Sequence, residues 1–525
     1  MSATVVAADP IDVMLDNIQH TAFQYFWNEA NATNGLVRDR SQSGSPCSIA
    51  ATGFGLSAIC TGIDHGWITR AQGQARVHTT LTTFWTKPQG TDASATIGYQ
   101  GFFYHFLDMN TALRMTSWNT ELSTIDTALL LVGILDCKQY FNTADPVDVQ
   151  IRTLADQIYG RVDWEWIRNP TNNAIRHGWD PDVDPDPAPE PGFLPYDWIG
   201  YSEAMIVYIL ALGSPTHPVP TAAWTAWTGG YNWSNPGYGG NEYVVFPPLF
   251  GHQYSHCWID FRNKRDAYMQ LKGIDYFENS RRATLAQQAY CIANPFGRVG
   301  YAANQWGLTA GDGPGFTYAA RGAPPAQNDD GTITPTAVVG SLPFAPEICL
   351  PTIQNFYDNY PALWGTYGFR DGFNLTAFPD WYGPDFLGID QGPIVMMIEN
   401  YRTAAFWSRF MQNADIQNGM TAAGFVNVVG VGEPAVAVRD RPALWSGPNP
   451  FATSASISFR LASGGPARLT VHDLVGREVA RLLDGWADAG EHAATFRGDG
   501  LKSGVYWYRL SAGGTEVLSK GILIR

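Results

Sequence analysis

WIGYSEAMIVYILALGS, residues 198–214, sets an acid, Glu203, directly ahead of a run that has no polar face. Two other stretches repeat the design: ELSTIDTALLLVGIL at 121–135 carries Asp126, and FLGIDQGPIVMMIENY at 386–401 carries Asp390. A surface helix keeps a polar stripe, so a helix that is apolar all round is one enclosed by other elements. An acid in a first turn is favoured by free N–H groups and by the helix dipole, whatever its use. Three such helices in one chain nevertheless point to a mainly α fold, an α/α toroid, in which enclosed inner helices run parallel and bring their N-termini to one face. Asp126, Glu203 and Asp390 are then expected around one cleft.

Working outward, the apolar helical pattern recurs from about Ile11 to Phe425, with helices expected over Val13–Trp27, Ile125–Tyr140, Glu203–Leu212, Arg281–Ala293 and Gly392–Met411. Long Gly/Pro/aromatic stretches separate them, notably 229–249 and 294–351, and long ordered loops on a helical scaffold build a binding face. After residue 427 the texture changes. The segment VVGVGEPAVAVRDRPALWSGPNP at 428–450 mixes Gly, Pro and charge without period, and past it come alternating runs such as Ile457, Phe459 and Leu461 between Gly-containing turns. The expected organisation is a helical domain over 11–427, a linker over 428–447 and a small β-sandwich over 448–525.

Composition bounds the function. The 525 residues exceed what one core organises, and the aromatic share is 13% against only 15% charged residues. Such a surplus of rings fills a core and also lines a cleft that stacks on sugar faces. The net charge of −15 argues against nucleic acid or anionic membranes as partners. No apolar stretch reaches the roughly 18 residues of a membrane span, and the start MSATVVAADP lacks the basic and apolar regions of a signal peptide. Six widely spaced cysteines without C-x-x-C indicate neither a zinc site nor a disulfide scaffold, and most are expected to be buried thiols.

The acids suggest the chemistry. Glycoside hydrolysis needs one carboxylic acid to protonate the leaving oxygen and one carboxylate to activate water. Glu203, with Ile199, Met205 and Ile206 around it, suits the protonated role; Asp390, followed by Gln391 and Gly392, reads as more solvated and suits the base. Asp371 and Asp126 are the further acids of the set. Contacts to a sugar are expected from FGHQYSHCWIDFRN at 250–263, through His252, Gln253, Tyr254, His256 and Trp258, with Asp260 and Arg262 beside them. GTYGFRDGFN at 365–374 adds Tyr367, Arg370 and Asn374, and Gln391 completes the group. The pair His252/His256 lacks the central Glu of HExxH and a third ligand, so no metal is expected. WDPDVDPDPAPEPGF at 179–193 has the alternating acids of a calcium loop without its mid-loop Gly, and reads as a solvated loop.

Taken together, AFQYFWNEANATNGLVRDR (22–40), SIAATGFGLSAIC (48–60), the three helix stretches above, FGHQYSHCWIDFRN and YGFRDGFN resemble the bacterial glucoamylase-like family that contains the endo-β-1,2-glucanases of glycoside hydrolase family 144. The resemblance implies an (α/α)6 toroid that cleaves β-1,2-glucan to sophorooligosaccharides with inversion and no cofactor. It places the acid on Glu203 and the base on Asp390, with Asp371 and Asp126 as neighbours or alternatives. The insertion GPGFTYAARGAPPAQNDDGTITPT at 313–336 departs from the family pattern and leaves endo or exo action open.

The tail has a resemblance of its own. PNPF (448–451), VHDLVGREVARLLDG (471–485), LKSGVYWYRL (501–510) and KGILIR (520–525) resemble the immunoglobulin-like C-terminal sorting domains of type IX secretion. That implies export or surface attachment in a Gram-negative bacterium, with the secretion machinery as a partner beside the polysaccharide substrate. Two rival readings stay open at this level: a polysaccharide lyase using the His252–Arg262 cluster, and a non-catalytic glycan-binding surface protein.

Overall fold

The computed structural model describes residues 10–92, 94–118, 120–182, 192–315 and 317–428, and in the tail 443–447, 451–461, 464–473, 476–488, 490–512 and 515–524. The chain divides into two compact units, Met1–Val431 and Gly432–Arg525.

The first unit is an (α/α)6 toroid. Helices α1 (Pro10–Asn28), α3 (Arg70–Thr86), α5 (Pro146–Gly160), α7 (Ala222–Thr228), α9 (Tyr276–Ala293) and α11 (Pro346–Asn359) form its outer layer. They alternate along the chain with inner helices α2 (Ile49–Asp64), α4 (Thr124–Tyr140), α6 (Met205–Gly213), α8 (Tyr254–Trp258), α10 (Pro335–Val339) and α12 (Gly388–Arg402). The inner helices are those without a polar face: every residue of α6, α8 and α10 is buried, and so is α2 from Ile49 to Gly62.

Close approach sets how the ring shuts. On Gly53 of α2 a Cβ would stand 2.1 Å from the Leu129 carbonyl oxygen, and on Gly133 of α4 it would stand 2.1 Å from that of Gly53, so the two backbones touch where only glycine fits. Side chains join the other neighbours. Ser255 of α8 accepts the Ile206 N–H of α6, Gln253 donates to the Ala337 carbonyl of α10, and Thr336 of α10 donates to the Asp390 carbonyl of α12. Across the ring, Trp258 donates its indole N–H to Ser57 of α2, and Asn400 of α12 donates to the Cys257 carbonyl.

Several helix boundaries differ from the sequence reading, and α1 begins at Pro10, three residues before the expected Val13. Glu203 lies in the turn ahead of α6, whose N-cap is Ala204, because Ser255 from α8 supplies the cap that no local side chain provides. Helix α9 begins at Tyr276, capped by Asp275, five residues before the expected Arg281. The last expected helix is two: α12 starts at Gly388 and ends at Arg402, and Ala404 in the left-handed region separates it from Ala405–Phe410. All six cysteines are buried thiols.

The second unit is a β-sandwich. One sheet has the order Ala443–Gly447, Ser454–Leu461, Gly490–Arg497; the other has Glu478–Ala487, Gly465–His472, Gly504–Ala512, Thr515–Leu523. Ile457, Phe459, Leu469, Val471, Phe496, Tyr508 and Leu510 fill the space between them. The strand Ala443–Gly447 pairs with Ser454–Leu461, Leu444 opposite Phe459, so the sandwich starts inside the stretch read as linker. Residues 429–442 and 448–450, where the linker and most of the PNPF motif were placed, lie outside the described residues.

Candidate active site

The N-terminal ends of the inner helices carry two groups of acids. Glu203 stands in the first. Its Oε2 is buried and has no hydrogen-bond partner. Burial, with a smaller contribution from the charge of Asp126, pushes the carboxyl up to about 7. A carboxylic acid isolated in this way keeps a proton to give near neutral pH.

Asp126 is the third residue of α4. Its N–H donates to the N-cap Ser123 hydroxyl at 3.2 Å, and that hydroxyl donates to Asp126 Oδ2 at 2.5 Å. His105 places Nε2 3.4 Å from Asp126 Oδ1 and Nδ1 3.1 Å from Glu121 Oε1. Burial opposes a charge on the imidazole, but the carboxylates of Asp126 and Glu121 outweigh it and push His105 up to about 9.

The second group is crowded. Asp371 Oδ2 accepts the Asp312 N–H at 2.5 Å. Burial, then the charge of Asp312, pushes Asp371 up to about 6; burial, then the charge and hydrogen bond of Asp371, pushes Asp390 well above the carboxylate range. The two titrate as a pair, Asp390 holding the proton and Asp371 the charge. Arg40 is the cation of this group: it reaches Asp39 at 3.2 Å and Asp312 at 3.0 Å. The expectation of a solvated Asp390 is therefore corrected. Its side chain is buried at the head of α12, facing other acids rather than water.

Tyr254 links the groups. Its hydroxyl, 3.4 Å from the Ile389 carbonyl oxygen, feels the charges of Asp390 and Glu203 and lies near Tyr318. Tyr318 comes from the 313–336 insertion, directly before the strand Ala319–Ala320 that pairs with Ala310–Gly311, which puts it across the hairpin from Asp312. The hairpin is tied down by Arg321, only 1% exposed, which donates to both Asp330 oxygens and to the Gly311 carbonyl. At the rim, His105 stacks on Phe106 beside Trp118, and His177 stacks on Trp198, whose indole N–H donates to Thr124 of α4.

Other expected contacts do not reach the cleft. His252, Gln253, His256 and Trp258 are 0–1% exposed and serve the ring. Burial pushes both histidines down to about 3, so they are neutral; His252 holds the Phe246 carbonyl, and His256 meets the Ser280 hydroxyl. Gln253 and Trp258 make the inter-helix bonds described above. Asp260 pairs with Arg262, whose guanidinium lies over Trp407. The cluster that a lyase reading needs is thus interior packing, dense because a five-residue inner helix is held by side-chain bonds to the elements around it.

In the second stretch Tyr367 donates to Glu29, Arg370 to the Pro384 carbonyl, Asn374 to Thr332, and Gln391 to the Phe369 carbonyl; these bonds shape the loops that carry Asp371. Asp180 and Asp182 both accept from the Arg114 guanidinium, and Asp184 and Asp186 lie outside the described residues. Among the described residues no cluster of metal-ligating side chains occurs. The sequence reading missed Asp39, Arg40, His105, Glu121, Asp312 and Tyr318. They sit in loops far apart in the chain, and no spacing marks them.

Known proteins resemble this chain over most of its length. A family model described as “Putative glucoamylase” matches residues 195–414. A crystal structure from Bacteroides uniformis under the same description is 33% identical, covering 80% of this chain and 98% of its own, with a TM-score of 0.71. An endo-β-1,2-glucanase from Chitinophaga pinensis, solved with sophorotriose and glucose, is 28% identical over 80% of this chain and 99% of its own, with a TM-score of 0.71. The exo β-1,2-glucooligosaccharide sophorohydrolase of Parabacteroides distasonis is 32% identical over 436 residues, 78% of this chain. The chain spans 57% of that relative's length.

Proposed function

This chain belongs to the glucoamylase-like family whose relatives include β-1,2-glucan hydrolases, and from that premise we propose that it hydrolyses β-1,2-glucan to sophorooligosaccharides by acid–base catalysis with inversion. The observation that carries the reading is a lone acid with a buried, unpartnered carboxyl oxygen, Glu203, and a pair of buried acids, Asp371 and Asp390, brought near Tyr254. Glu203 protonates the glycosidic oxygen. The Asp371–Asp390 pair, carrying one negative charge above about pH 6, takes the proton of the attacking water, directly or through a substrate hydroxyl. The rings of Trp118 and Trp198 offer faces on which sugars stack.

The sandwich reads as a sorting or attachment unit, so the protein is exported in a Gram-negative bacterium and its tail engages the secretion machinery. Sequence motifs support this, and deleting residues 432–525 is expected to abolish export in a type IX-competent host; normal export of the truncated chain refutes it.

The deciding experiment is product analysis on linear β-1,2-glucan, with laminarin, cellulose and starch oligomers as controls, for wild type and Glu203→Gln. Release of β-1,2-linked oligosaccharides by wild type alone is expected, and NMR of the first product formed is expected to show the α-anomer. Failure on β-1,2-glucan with cleavage of a control would move the substrate; an active Glu203→Gln would move the acid; an initial β-anomer would replace inversion by retention.

A further inference from the structure

Asp126 heads α4, which packs against α6 just behind Glu203, and its charge adds to burial in pushing Glu203 up, yet the reaction does not consume it. Burial pushes Asp126 up, toward the neutral form, while the charge of His105 and the Ser123 hydroxyl hold it down. The imidazole is clamped on both ring nitrogens, Nδ1 at 3.1 Å from Glu121 and Nε2 at 3.4 Å from Asp126, and it is stacked flat on Phe106 with centroids 3.9 Å apart. Both main-chain bonds of His105 run to the framework, its N–H to Glu121 and its carbonyl to Ile49 at the head of α2. The ring is therefore fixed in place by elements on either side.

We propose that His105 is a positioning residue for the general acid: its imidazolium, held between Glu121 and Asp126, keeps Asp126 a carboxylate beside Glu203, and Glu203 thereby holds its proton over the range in which the base is ionised. The proposal rests on Glu203 as the acid. The charged groups facing His105 are Asp126, Glu121 and Asp39; those facing Asp126 are His105, Glu121, Asp39 and Glu203; Glu121 also meets Arg114. His105 does not act on Glu203 directly, so its influence passes through Asp126. Pushed up to about 9, His105 stays charged across the working range. Remove it and burial favours a neutral Asp126; the repulsion that discourages ionisation of Glu203 disappears, and Glu203 gives up its proton at lower pH.

The test uses the full chain and two readouts. In kcat/KM against pH on β-1,2-glucan, His105→Gln is expected to move the alkaline limb down by on the order of half a pH unit, about a threefold loss on that side, and Asp126→Asn to do the same. The double variant is expected to move it no further than either alone. The second readout needs no substrate: the 13C signal of Glu203 in protein labelled at its Glu carboxyls, assigned by its loss in Glu203→Gln, is titrated in wild type, His105→Gln and Asp126→Asn. A lower Glu203 titration in both variants supports the proposal, even if wild type leaves β-1,2-glucan intact and the proposed function falls. Glu203 titrating as in wild type overturns it, whatever happens to activity, because a merely structural His105 would lower turnover without moving that signal. The 30% exposed His105 side chain makes Gln a tolerable replacement, and His105→Ala serves as a second variant.

Discussion

The two acid groups of the cleft stay protonated for opposite reasons. Glu203 is alone: burial costs its charge, Oε2 has no hydrogen-bond partner, and a single backbone N–H offsets only part of the cost. Asp371 and Asp390 are crowded: each is buried, but the proton on one is also held by the charge of the other, with Asp312 and Asp39 adding to it. A lone buried acid is neutral until one threshold and then ionised. A coupled pair always passes through a singly charged state, and the width of that state is set by the mutual repulsion. A hydrolase needs one of each, since the donor must be fully protonated while the acceptor carries one negative charge.

The sharpest way to break this comparison is to remove the lone acid. Glu203→Gln keeps the shape and loses the proton, and the expected cost in kcat on β-1,2-glucan is about 10³-fold, with KM little changed. A small effect would mean that another group donates. Next comes the pair. Asp371→Asn removes the charge and Asp390→Asn removes the partner that sets it; each is expected to lower kcat by about 10²-fold, and the double variant by no more than the worse single, because the two act as a unit. Additive losses would show two separate roles and dissolve the pair.

How much of this was legible in the sequence follows the same division. The lone acid was readable: Glu203, Asp126 and Asp390 each head an unbroken apolar run, and an enclosed helix with an acid at its start has few places to be. The crowding was not. Asp39 and Arg40 follow α1, Asp312 follows the first strand of a hairpin that runs into the insertion, and Asp371 sits in a turn between two-residue strands, so only the closed ring brings them together. Hence Asp390 read as solvated from its neighbours Gln391 and Gly392. The dense FGHQYSHCWIDFRN stretch misled in the other direction. Polar residues looked functional, whereas a helix as short as Tyr254–Trp258 must use side-chain bonds to hold its place, and Gln253, His256 and Trp258 do so.

The pH profile sharpens the comparison further. The base must be ionised, so activity is lost as pH falls through about 6, where Asp371 takes up a proton. The acid must be protonated, so activity is lost as pH rises through about 7, where Glu203 gives one up. The expected kcat/KM profile is a narrow bell between these values, falling about tenfold per unit on each side. Because the lone acid has one neighbour and the pair several, Asp126→Asn is expected to move only the alkaline limb. A shift of both limbs together would join the two groups into one electrostatic unit.

The smallest expected effect belongs to Tyr318, and it tests whether the crowded group has a partner beyond its own acids. Burial, then the charges of Asp390, Asp371, Asp39 and Asp312, push the hydroxyl well above the usual tyrosine range, so it stays a donor. A donor beside the base could serve the substrate, by bonding a sugar hydroxyl, or the pair, by steadying its charge. Tyr318 is 48% exposed, and its hairpin is anchored by Arg321 independently of the ring on Tyr318. Tyr318→Phe therefore removes one hydrogen bond without loosening the loop, worth about 0.5–1.5 kcal/mol, or roughly two- to tenfold. Service to the substrate puts that loss in KM and leaves the acid limb at about 6; service to the pair leaves KM alone and moves the limb upward. The exposure of the ring favours the first outcome, and a displaced limb would assign Tyr318 to the base instead.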